Sequence, residues 1–371
     1  MKIALVHDYL TQNGGAERVF ELLCNHFPQA DIYTSIYDPN NSIDLKGRVV
    51  HTTNLQKIPG SSRYFRLLAP FYFSAFRSFD LQSYDLILSS TTSFAKAIRK
   101  CKDATHICFC HNVTRFLWDT ETYLAGYQEY QAIYPLLKPI FEQLTRLDLK
   151  YSQEPDFYIA NSSTVADRIY QYYNRQATVV NYPIDDGQFQ FCDQKEGYCL
   201  VSSRLLSYKR VDLIVEAFNQ LGWKLIITGD GPERKRLEAK AKDNIIFKGY
   251  VSDNERKSLM AKAQFVIVAA LEDYGLVPIE ANASGTPVVC YGAGGVLDTQ
   301  SPRVTGLFFD EQTPESLQSA LLEAVTIPWD YHEIRDHALS KFTKQVFFET
   351  IDNFISSVQK KPDPLIKVES R

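Results

Sequence analysis

Short apolar runs alternate with amphipathic helical patterns along almost the whole chain, and this alternation limits the fold more than any other feature. We predict strands near residues 2–8, 30–36, 48–53, 85–91, 105–111, 157–161, 178–181, 198–203, 224–229, 245–249, 265–270, 287–291 and 306–309. We predict helices at 14–27, 210–221, 231–243, 252–263 and 314–325. Continuously apolar strands separated by helices are typical of parallel sheets that are covered on both faces. The sequence therefore predicts an α/β fold.

The predicted strands are more numerous than one open sheet usually holds, so we expect two domains. The strand-then-loop pattern of the amino terminus restarts at 198–203, and a seam rich in turn residues precedes it at 182–187. We predict two Rossmann-like, doubly wound domains, 1–184 and 185–343, which face each other across a cleft. The remaining segment, 344–371, should begin with an amphipathic helix that could cross back to the N-terminal domain, and should end in a loose polar tail.

The composition is that of an ordinary globular protein, with 45% hydrophobic residues and a formal net charge of −4 over 371 residues. This charge argues against broad nucleic-acid binding, so an anionic substrate would have to meet a local positive site. The seven cysteines are irregularly spaced, which favours small core residues in a reducing compartment. Neither a signal peptide nor a membrane-spanning stretch is recognisable, so we expect a cytoplasmic protein.

Two loops of the first predicted domain carry residues that are suited to ligand binding, beyond the carboxyl ends of strands where ligands of open parallel sheets bind. Gly14 and Gly15 precede a helix, where backbone N–H groups can approach an anion, although a plain tight turn explains them equally well. His111 directly follows a strand, and a histidine in that place can donate to or orient a reacting group. His7 and His106 are expected instead to be structural, hydrogen-bonded histidines.

Arg204 and Lys209 form a pair of cations in the loop that follows the predicted strand at 198–203. Two fixed cations in one loop can hold a diphosphate and can stabilise the charge that develops when it departs. The alternative is that both are ordinary solvated charges at a loop edge. The Gly-Asp-Gly-Pro-Glu turn at 229–233 does little to decide between a diphosphate site and surface charges, because a tight strand-to-helix turn also explains its residues.

The segment 271–288 carries the densest group of candidate functional residues. Glu272 ends a strand, Gly275 breaks the loop, and Glu280 lies in the first turn of the helix that follows. The free N–H groups of such a loop and helix end can bind phosphate, and the two carboxylates can accept hydrogen bonds from sugar and ribose hydroxyls. A glutamate favoured by the helix dipole would explain Glu280 alone, but it would not explain the whole group.

The run from Glu272 to Glu280 reads Glu-Asp-Tyr-Gly-Leu-Val-Pro-Ile-Glu and has the Glu-x7-Glu spacing. In this it resembles family 4 of the retaining glycosyltransferases, whose fold is called GT-B. The resemblance extends over most of the chain, through the motifs Gly14-Gly15-Ala-Glu, Cys-His111-Asn-x-x-Arg-x-Leu-Trp-Asp, Ile-Ala-Asn-Ser at 159–162, Ser-Arg-Leu-Leu-Ser-Tyr-Lys-Arg-Val-Asp at 203–212 and Gly-Asp-Gly-Pro-Glu at 229–233. Each motif is loose alone, but the ordered set is specific.

The resemblance implies a set of donor-binding positions, which differ in the part of the donor that they would contact. These positions are Gly15, Arg204, Lys209, Tyr250, Val251, Gly275, Leu276 and Glu280. Arg204 and Lys209 would hold the donor diphosphate. The backbone of Gly15, Gly275 and Leu276 would help. Glu280 would bind the ribose of the nucleotide, and Tyr250 and Val251 would lie near the nucleobase.

The resemblance also implies the reaction and its catalytic positions, which are His111 near the donor sugar and Glu272 in contact with it. The expected enzyme is a hexosyltransferase that moves a hexose, with retention of configuration, from a nucleoside-diphosphate sugar to a glycan or lipid-linked saccharide in polysaccharide biosynthesis. We expect UDP-glucose as the donor. GDP-mannose is the alternative, since the run from His111 to Asp119 is similar to that of mannosyltransferases. No cofactor and no metal is expected, in agreement with the lack of an Asp-x-Asp triplet.

Other classes of protein fit the same motifs less well. An NAD-dependent oxidoreductase would need Gly-x-Gly-x-x-Gly after a strand and an acidic residue about 20 positions later, and neither is clear here. A non-catalytic sugar-nucleotide-binding protein would share the donor loops, but the presence of His111, Arg204, Lys209 and Glu272 argues against it. A nucleotide-sugar epimerase or a glycan phosphorylase is a more distant alternative.

The segment 57–79 combines four basic and seven aromatic residues with no acidic residue. That composition suits a patch that dips into an anionic membrane leaflet, where a lipid-linked acceptor would wait and the protein would be peripheral to the inner face. The alternative is an aromatic helix packed in the core of the N-terminal domain, and we favour it over the membrane patch.

Overall fold

The computed structural model describes residues 1–120, 128–185 and 187–359, and its first sheet has seven strands in the order 3-2-1-4-5-6-7. In chain order these strands are β1 (Ile3–His7), β2 (Asp31–Thr34), β3 (Val50–Thr52), β4 (Leu86–Thr91), β5 (Thr105–Cys110), β6 (Phe157–Ala160) and β7 (Ala177–Val179). Every neighbouring pair is parallel, so each connection between paired strands crosses a face of the sheet.

The second sheet has six strands in the order 10-9-8-11-12-13, again with parallel neighbours throughout. Its strands are β8 (Cys199–Ser202), β9 (Leu225–Thr228), β10 (Ile245–Gly249), β11 (Phe265–Val268), β12 (Val288–Tyr291) and β13 (Gly306–Phe309). All of the predicted strands are present, and the two doubly wound parallel sheets confirm the predicted fold class.

Helices cover the faces of both sheets. Those between the strands of the first sheet are α1 (Gly15–His26), α2 (Ala69–Phe76), α3 (Arg115–Trp118), α4 (Gln128–Tyr151) and α5 (Ser163–Tyr173). Those that follow are α6 (Val211–Leu221), α7 (Arg234–Glu238), α8 (Asp253–Lys262), α9 (Leu276–Ala283), α10 (Val296–Thr299), α11 (Pro314–Ala324), α12 (Tyr331–Lys341) and α13 (Lys344–Gln359). The prediction of one helix over 231–243 was wrong in extent. Only Leu237 of α7 is buried, so packing does not support a longer helix there.

Helix α6 illustrates how the apolar pattern fixes packing in the second domain. Val211, Ile214, Val215 and Phe218 recur at helical spacing and are all buried in the core. The helix ends at Gly222, whose φ of 71° is the left-handed conformation that glycine adopts without steric cost. Because α6 begins just after Lys209, its packing also anchors the end of the loop that carries the two predicted cations.

The last helix, α13, returns to the first sheet rather than staying beside the second. Phe347, Ile351 and Ile355 are buried in one core together with Leu5 and Phe109 of the first sheet. The rings of Phe347 and Phe109 are stacked with their centroids 6.1 Å apart. The final helix therefore closes a core that the first part of the chain cannot fill alone.

The connection between the sheets runs from the end of β7 at Val179 to the start of β8 at Cys199. Within it, the backbone N–H of Ile184 donates to the carbonyl of Phe342 at 2.8 Å, so this connection is tied to the segment that leads into α13. The predicted domain boundary at 184/185 lies in this stretch and stays a prediction. Asp186 of the predicted seam, and the predicted tail from 360 onward, lie outside the described residues.

The predicted membrane segment 57–79 is divided between core and surface. Four of its seven aromatic residues are buried, and they are Phe65, Tyr72, Phe73 and Phe76. Helix α2 carries the last three of these against the first sheet, as the favoured alternative expected. Other apolar side chains of the segment are exposed, including Leu67 and Phe71. In the parts of the chain that the structure describes, no helix combines the length and apolar character needed to cross a membrane.

The return of α13 to the first sheet gives a test of stability. Phe347→Ala should lower the free energy of unfolding by about 3–5 kcal/mol, because it empties a buried aromatic site against Phe109. Asn353→Ala on the exposed face of the same helix is the matched control and should change stability by less than about 0.5 kcal/mol. Denaturant unfolding measures both, and equal effects of the two substitutions would contradict the packing described.

Candidate functional site

A cavity of about 180 Å³ lies at the carboxyl edge of the second sheet. Its walls include the loop after β8 and the loop after β11, which bring together Arg204, Lys209 and Glu272. Apolar side chains such as Val201 and Ile267 form its base. The structure therefore places the two predicted cations and one predicted carboxylate around a single small space.

The charged side chains around this cavity differ in whether they have an ion-pair partner. Lys209 Nζ lies 2.6 Å from Glu272 Oε1, and the two side chains are only 17% and 22% exposed. Arg204 is exposed, and its guanidinium has no hydrogen-bond or ion-pair partner within residues 1–120, 128–185 and 187–359. An anion that enters the cavity would thus meet one unpaired cation and one cation that it must share with a carboxylate.

The loop that carries Arg204 is held by the turn that follows β9. Gly229 has a φ of 108°, and a Cβ there would collide with the carbonyl group of Ser203. The backbone N–H of Leu205 donates to the carbonyl of Asp230 at 2.9 Å, which joins the two loops directly. Gly229 therefore allows the Arg204 loop to pack closely against this turn. From the sequence alone, the glycine could have served either the turn or a ligand contact.

Helix α9 begins at the edge of the same cavity. Gly275 is its N-cap residue with a φ of 92°, and Leu276 is its first residue. The prediction that Glu280 lies in the first turn was wrong, because the helix begins early enough to make Glu280 its fifth residue. The first N–H groups of a helix lack partners within the helix and carry partial positive charge. Of these first residues, Val277 lines the Arg204 cavity and Leu276 lines a second cavity, while Gly275 lines neither.

Glu280 is engaged by a residue that no motif marked. Its Oε2 lies 2.6 Å from the guanidinium of Arg256 on α8, and the two side chains are 18% and 26% exposed. Burial alone lowers the pKa of Arg256, but the Glu280 carboxylate and the nearby Asp253 raise it above its ordinary value. This pair fixes the predicted ribose-binding carboxylate in one direction in the free protein.

A second, larger cavity of about 510 Å³ lies between the two domains. Gly15 and Arg18 of α1 line it from the first domain, and Arg256, Leu276 and Glu280 line it from the second. A Cβ on Gly15 would meet no atom within 4 Å, so this position leaves open space at the start of α1. Two predicted donor contacts from opposite domains, Gly15 and Glu280, thus border one cleft.

His111 is buried, with 5% of its surface exposed, and both of its ring nitrogens are occupied. Nε2 is 2.7 Å from Ser90 Oγ, and Nδ1 is hydrogen-bonded to the hydroxyl of Tyr182. Burial is the main cause that lowers the pKa of His111 to about 3, and proximity to His7 contributes. His111 is therefore a neutral hydrogen-bonding group at physiological pH rather than a cation.

The hydrogen bonds of His111 continue toward α1. Ser90 Oγ also lies 3.0 Å from Nδ1 of His7, and Nε2 of His7 is 3.9 Å from Glu17. Although burial alone raises it, hydrogen bonding to His7 and the charge interaction with it lower the pKa of Glu17 to about 2. Glu17 in turn accepts a hydrogen bond from the backbone N–H of Gly14 at 2.9 Å. The glycine loop and His111 therefore belong to one buried polar network.

Asp8 fixes the loop that follows β4, beside this network. Its carboxylate accepts hydrogen bonds from four consecutive backbone N–H groups, those of Thr92, Ser93, Phe94 and Ala95, at 2.7–3.0 Å. Asp8 is 1% exposed, so water does not compete for these donors. The loop that starts next to Ser90 is therefore rigid, and it gives His111 a fixed partner.

The structure leaves Tyr250 and Val251 away from both cavities. Tyr250 is 89% exposed, and neither residue lines either space. They do, however, precede Ser252, which caps α8, the helix that carries Arg256. The predicted nucleobase positions are thus linked to Glu280 through one helix, without touching it.

Comparison with known proteins identifies the class to which this fold and site belong. A family described as Glycosyl transferases group 1 matches residues 186–345, and one described as Glycosyltransferase Family 4 matches residues 13–188. Anabaena HepE, solved in complex with UDP, is similar in structure, with a TM-score of 0.68 and 17% identity over 96% of this chain and 100% of that one. The two family matches together span residues 13–345, and the chain therefore belongs to the glycosyltransferases of the GT-B fold, of the family 4 type.

Curated relatives align mainly through shorter stretches. The alpha-monoglucosyldiacylglycerol synthase of Streptococcus pneumoniae is 32% identical over 155 residues, which is 38% of this chain and 34% of that protein. The GDP-mannose-dependent alpha-mannosyltransferase of Corynebacterium glutamicum is 34% identical over 108 residues, which is 29% of this chain and 26% of that protein. The chain spans about a third of the length of the curated relatives that it matches first.

The buried histidines give a test in the pH dependence of stability. His106 and His111 have pKa values lowered from 6.5 to about 3 by burial, so only the unfolded chain gains protons as the pH falls below 6.5. Above pH 6.5 the two neutral histidines do not reduce the stability of the fold. Below pH 6.5 the free energy of unfolding falls by up to about 1.4 kcal/mol per pH unit for each histidine. Unfolding curves between pH 6.5 and 5 should therefore be less pH-dependent in His111→Gln. An NMR titration that finds His111 protonated at pH 6 would contradict this assignment.

Proposed function

We propose that the protein is a retaining hexosyltransferase that takes its hexose from a nucleoside-diphosphate sugar. The observation that carries the proposal is the cavity at the second sheet, where Arg204, which has no charged partner among the described residues, stands beside the ion pair of Lys209 and Glu272. A diphosphate can bind Arg204 and replace Glu272 at Lys209, which would release the carboxylate to accept hydrogen bonds from the sugar hydroxyls. The start of α9 adds backbone donors on the same side.

The ribose and base would extend into the cleft between the domains. Glu280 lies on its wall and is held by Arg256, so a ribose could hydrogen-bond a carboxylate that is already oriented. Gly15 lies opposite, where the open space in front of its backbone admits a ligand. Tyr250 and Val251 remain the proposed contacts of the base, beyond the residues that line the cleft.

The chemistry proposed for this site is a front-face displacement with retention of configuration. The bond between the anomeric carbon and the diphosphate oxygen breaks, and the electron pair leaves with the diphosphate, where Arg204 and Lys209 stabilise it. The acceptor oxygen bonds to the anomeric carbon on the same face, and its proton passes to the departing phosphate. Neutral His111 would not transfer a proton as a cation, and a hydrogen bond from its ring to the sugar would have to replace Ser90 or Tyr182 at a ring nitrogen. Neither a metal nor another cofactor is part of the proposed mechanism.

We propose UDP-glucose as the donor, with GDP-mannose as the alternative. HepE was solved with UDP, and a further crystal of the same protein contains UDP-glucose, which favours the first. The GDP-mannose-dependent relative favours the second. The acceptor is proposed to be a glycan or a lipid-linked saccharide in polysaccharide biosynthesis, and the relative named as a diacylglycerol glycolipid synthase is in keeping with a lipid-borne acceptor.

Donor binding and turnover can be tested separately. Thermal-shift measurements with UDP-glucose, GDP-mannose and other sugar nucleotides should find one donor that stabilises the protein by about 2.7 kcal/mol at 100 times its Kd. Arg204→Ala should weaken this stabilisation and should lower kcat/KM for donor hydrolysis by roughly 10²–10³-fold, because the departing charge loses a donor.

The matched control is Lys240→Ala, which removes an exposed cation at the far end of the same domain. It should leave both measurements at the level of the parent protein. Stabilisation by a donor without any hydrolysis or transfer would favour a non-catalytic sugar-nucleotide-binding protein. A protein that no sugar nucleotide stabilises would contradict the transferase proposal.

We also propose that the exposed part of segment 57–79 meets an anionic membrane surface as a peripheral contact on its inner face, in a cytoplasmic protein. Tyr64, Leu67 and Phe71 are 52%, 63% and 55% exposed, and Arg63 and Arg66 lie exposed among them. Such a mixture of exposed apolar and basic side chains suits an anionic leaflet. Arg66 NH2 also lies 3.4 Å from Gln12 Oε1, which places the patch beside the loop that leads to Gly15 and the cleft.

Vesicle binding tests the proposed membrane contact. Replacing Arg63 and Arg66 together by Gln should lower partition onto vesicles that contain phosphatidylserine by roughly 10–30-fold, at about 1 kcal/mol for each basic residue. Arg77 is left in place because it pairs with Glu154 at 3.1 Å. Replacing Lys235 and Lys240 by Gln makes the same charge change in the second domain and should have no effect. Equal partition of all three proteins would rule the contact out.

A further inference from the structure

Asp273 belongs to the donor loop of the second domain, but its side chain contacts the first domain. Arg168 NH1 lies 2.5 Å from Oδ1, and Asn112 Nδ2 donates to Oδ2 at 2.7 Å. Arg115 NH1 is a longer contact, 3.5 Å from Oδ2. The Asp273 and Arg168 side chains are only 28% and 23% exposed, so these contacts are partly shielded from water. Three donors from two segments of the first domain, 112–115 and α5, therefore converge on one carboxylate.

The backbone around Asp273 is attached to the first domain as well. The hydroxyl of Ser162 donates to the carbonyl of Asp273 at 2.6 Å, and the hydroxyl of Tyr274 donates to the carbonyl of Tyr182 at 2.8 Å. Tyr182 is the residue whose own hydroxyl is hydrogen-bonded to His111. The contacts of the donor loop therefore reach a group that holds His111.

The same loop links the two predicted catalytic residues through their immediate neighbours. Asn112 follows His111 in the chain, and Asp273 follows Glu272. Arg168 braces this link, because its NH1 also donates to Oδ1 of Asn112 at 3.2 Å. A shift of Asp273 relative to Asn112 would thus move Glu272 relative to His111 by a similar amount.

We propose that Asp273 is a positioning residue that sets the register between the loop of Glu272 and the loop of His111. It fixes the position of the two halves of the site relative to each other. The fold of each domain is stabilised by that domain's own core and does not depend on this contact. The contacts supply direction as well as attraction, since Arg168 takes one oxygen of the carboxylate and Asn112 takes the other. This role concerns the geometry of the cleft and does not depend on which sugar nucleotide is the donor.

Substitutions at the two ends of the contact test the proposal. Asp273→Ala and Arg168→Ala should each lower kcat by up to roughly 100-fold, since displacement of a reacting group by 1 Å can cost that much. KM for the donor should change less than kcat, because the two cations proposed to hold the diphosphate, Arg204 and Lys209, both lie in the second domain. The double variant should be no slower than the slower single variant, because both substitutions break one contact. Asp273→Glu should regain part of the lost rate, while Asp273→Asn should regain less.

Two measurements without substrate separate this proposal from the proposed function. Hydrogen exchange of residues 111–118 should speed up in Asp273→Ala, and small-angle scattering should detect a larger radius of gyration. Glu238→Gln, which removes an ion pair with Arg234 inside the second domain, is the matched control and should change neither. Unchanged exchange and radius in Asp273→Ala, or rate losses that add in the double variant, would overturn the positioning role. Changed exchange in a protein that turns over no donor would instead count against the proposed function alone.

Discussion

Parallel strands can be joined only by connections that cross a face of the sheet, so all strands of such a sheet present their carboxyl ends at one edge. Two such edges lie against each other in this protein, and the loops that carry the functional candidates come from both of them. The loop after β5 meets the loop after β11 through Asn112 and Asp273, and Ser163 at the start of α5 donates to Asp298 of α10 at 2.5 Å. The topology of the two sheets therefore brings the loops of the site together, and the residues of those loops then determine its chemistry.

The alternation of apolar strands and helical patterns was sufficient to predict all strands and both sheets, because buried parallel strands have a composition that few other structures share. The grouping of Arg204, Lys209 and Glu272 could also be predicted, since each follows a strand of one parallel sheet. The shortened helix at α7 was not foreseen. Helical propensity is visible in a sequence, but the lack of a surface to pack against is not.

The partners of the candidate residues could not be predicted, because they come from distant parts of the chain. Arg256 holds Glu280 from a helix that no motif marked, and Tyr182 reaches His111 from the connection between the sheets. The burial of His111, and with it the loss of its charge, depends on Ser90 and on packing from several strands. Motifs thus marked the candidate functional groups, while the groups that orient them carried no local signal.

The ion pair between Lys209 and Glu272 has a consequence for selectivity. A free inorganic phosphate that approaches Lys209 must compete with Glu272 and leaves that carboxylate without a counter-charge in a largely enclosed space. A ligand that carries both an anionic group and hydroxyl donors compensates both members of the pair at once. Under the proposed function, the pair would therefore favour the donor over small anions, with the same two side chains that receive the donor.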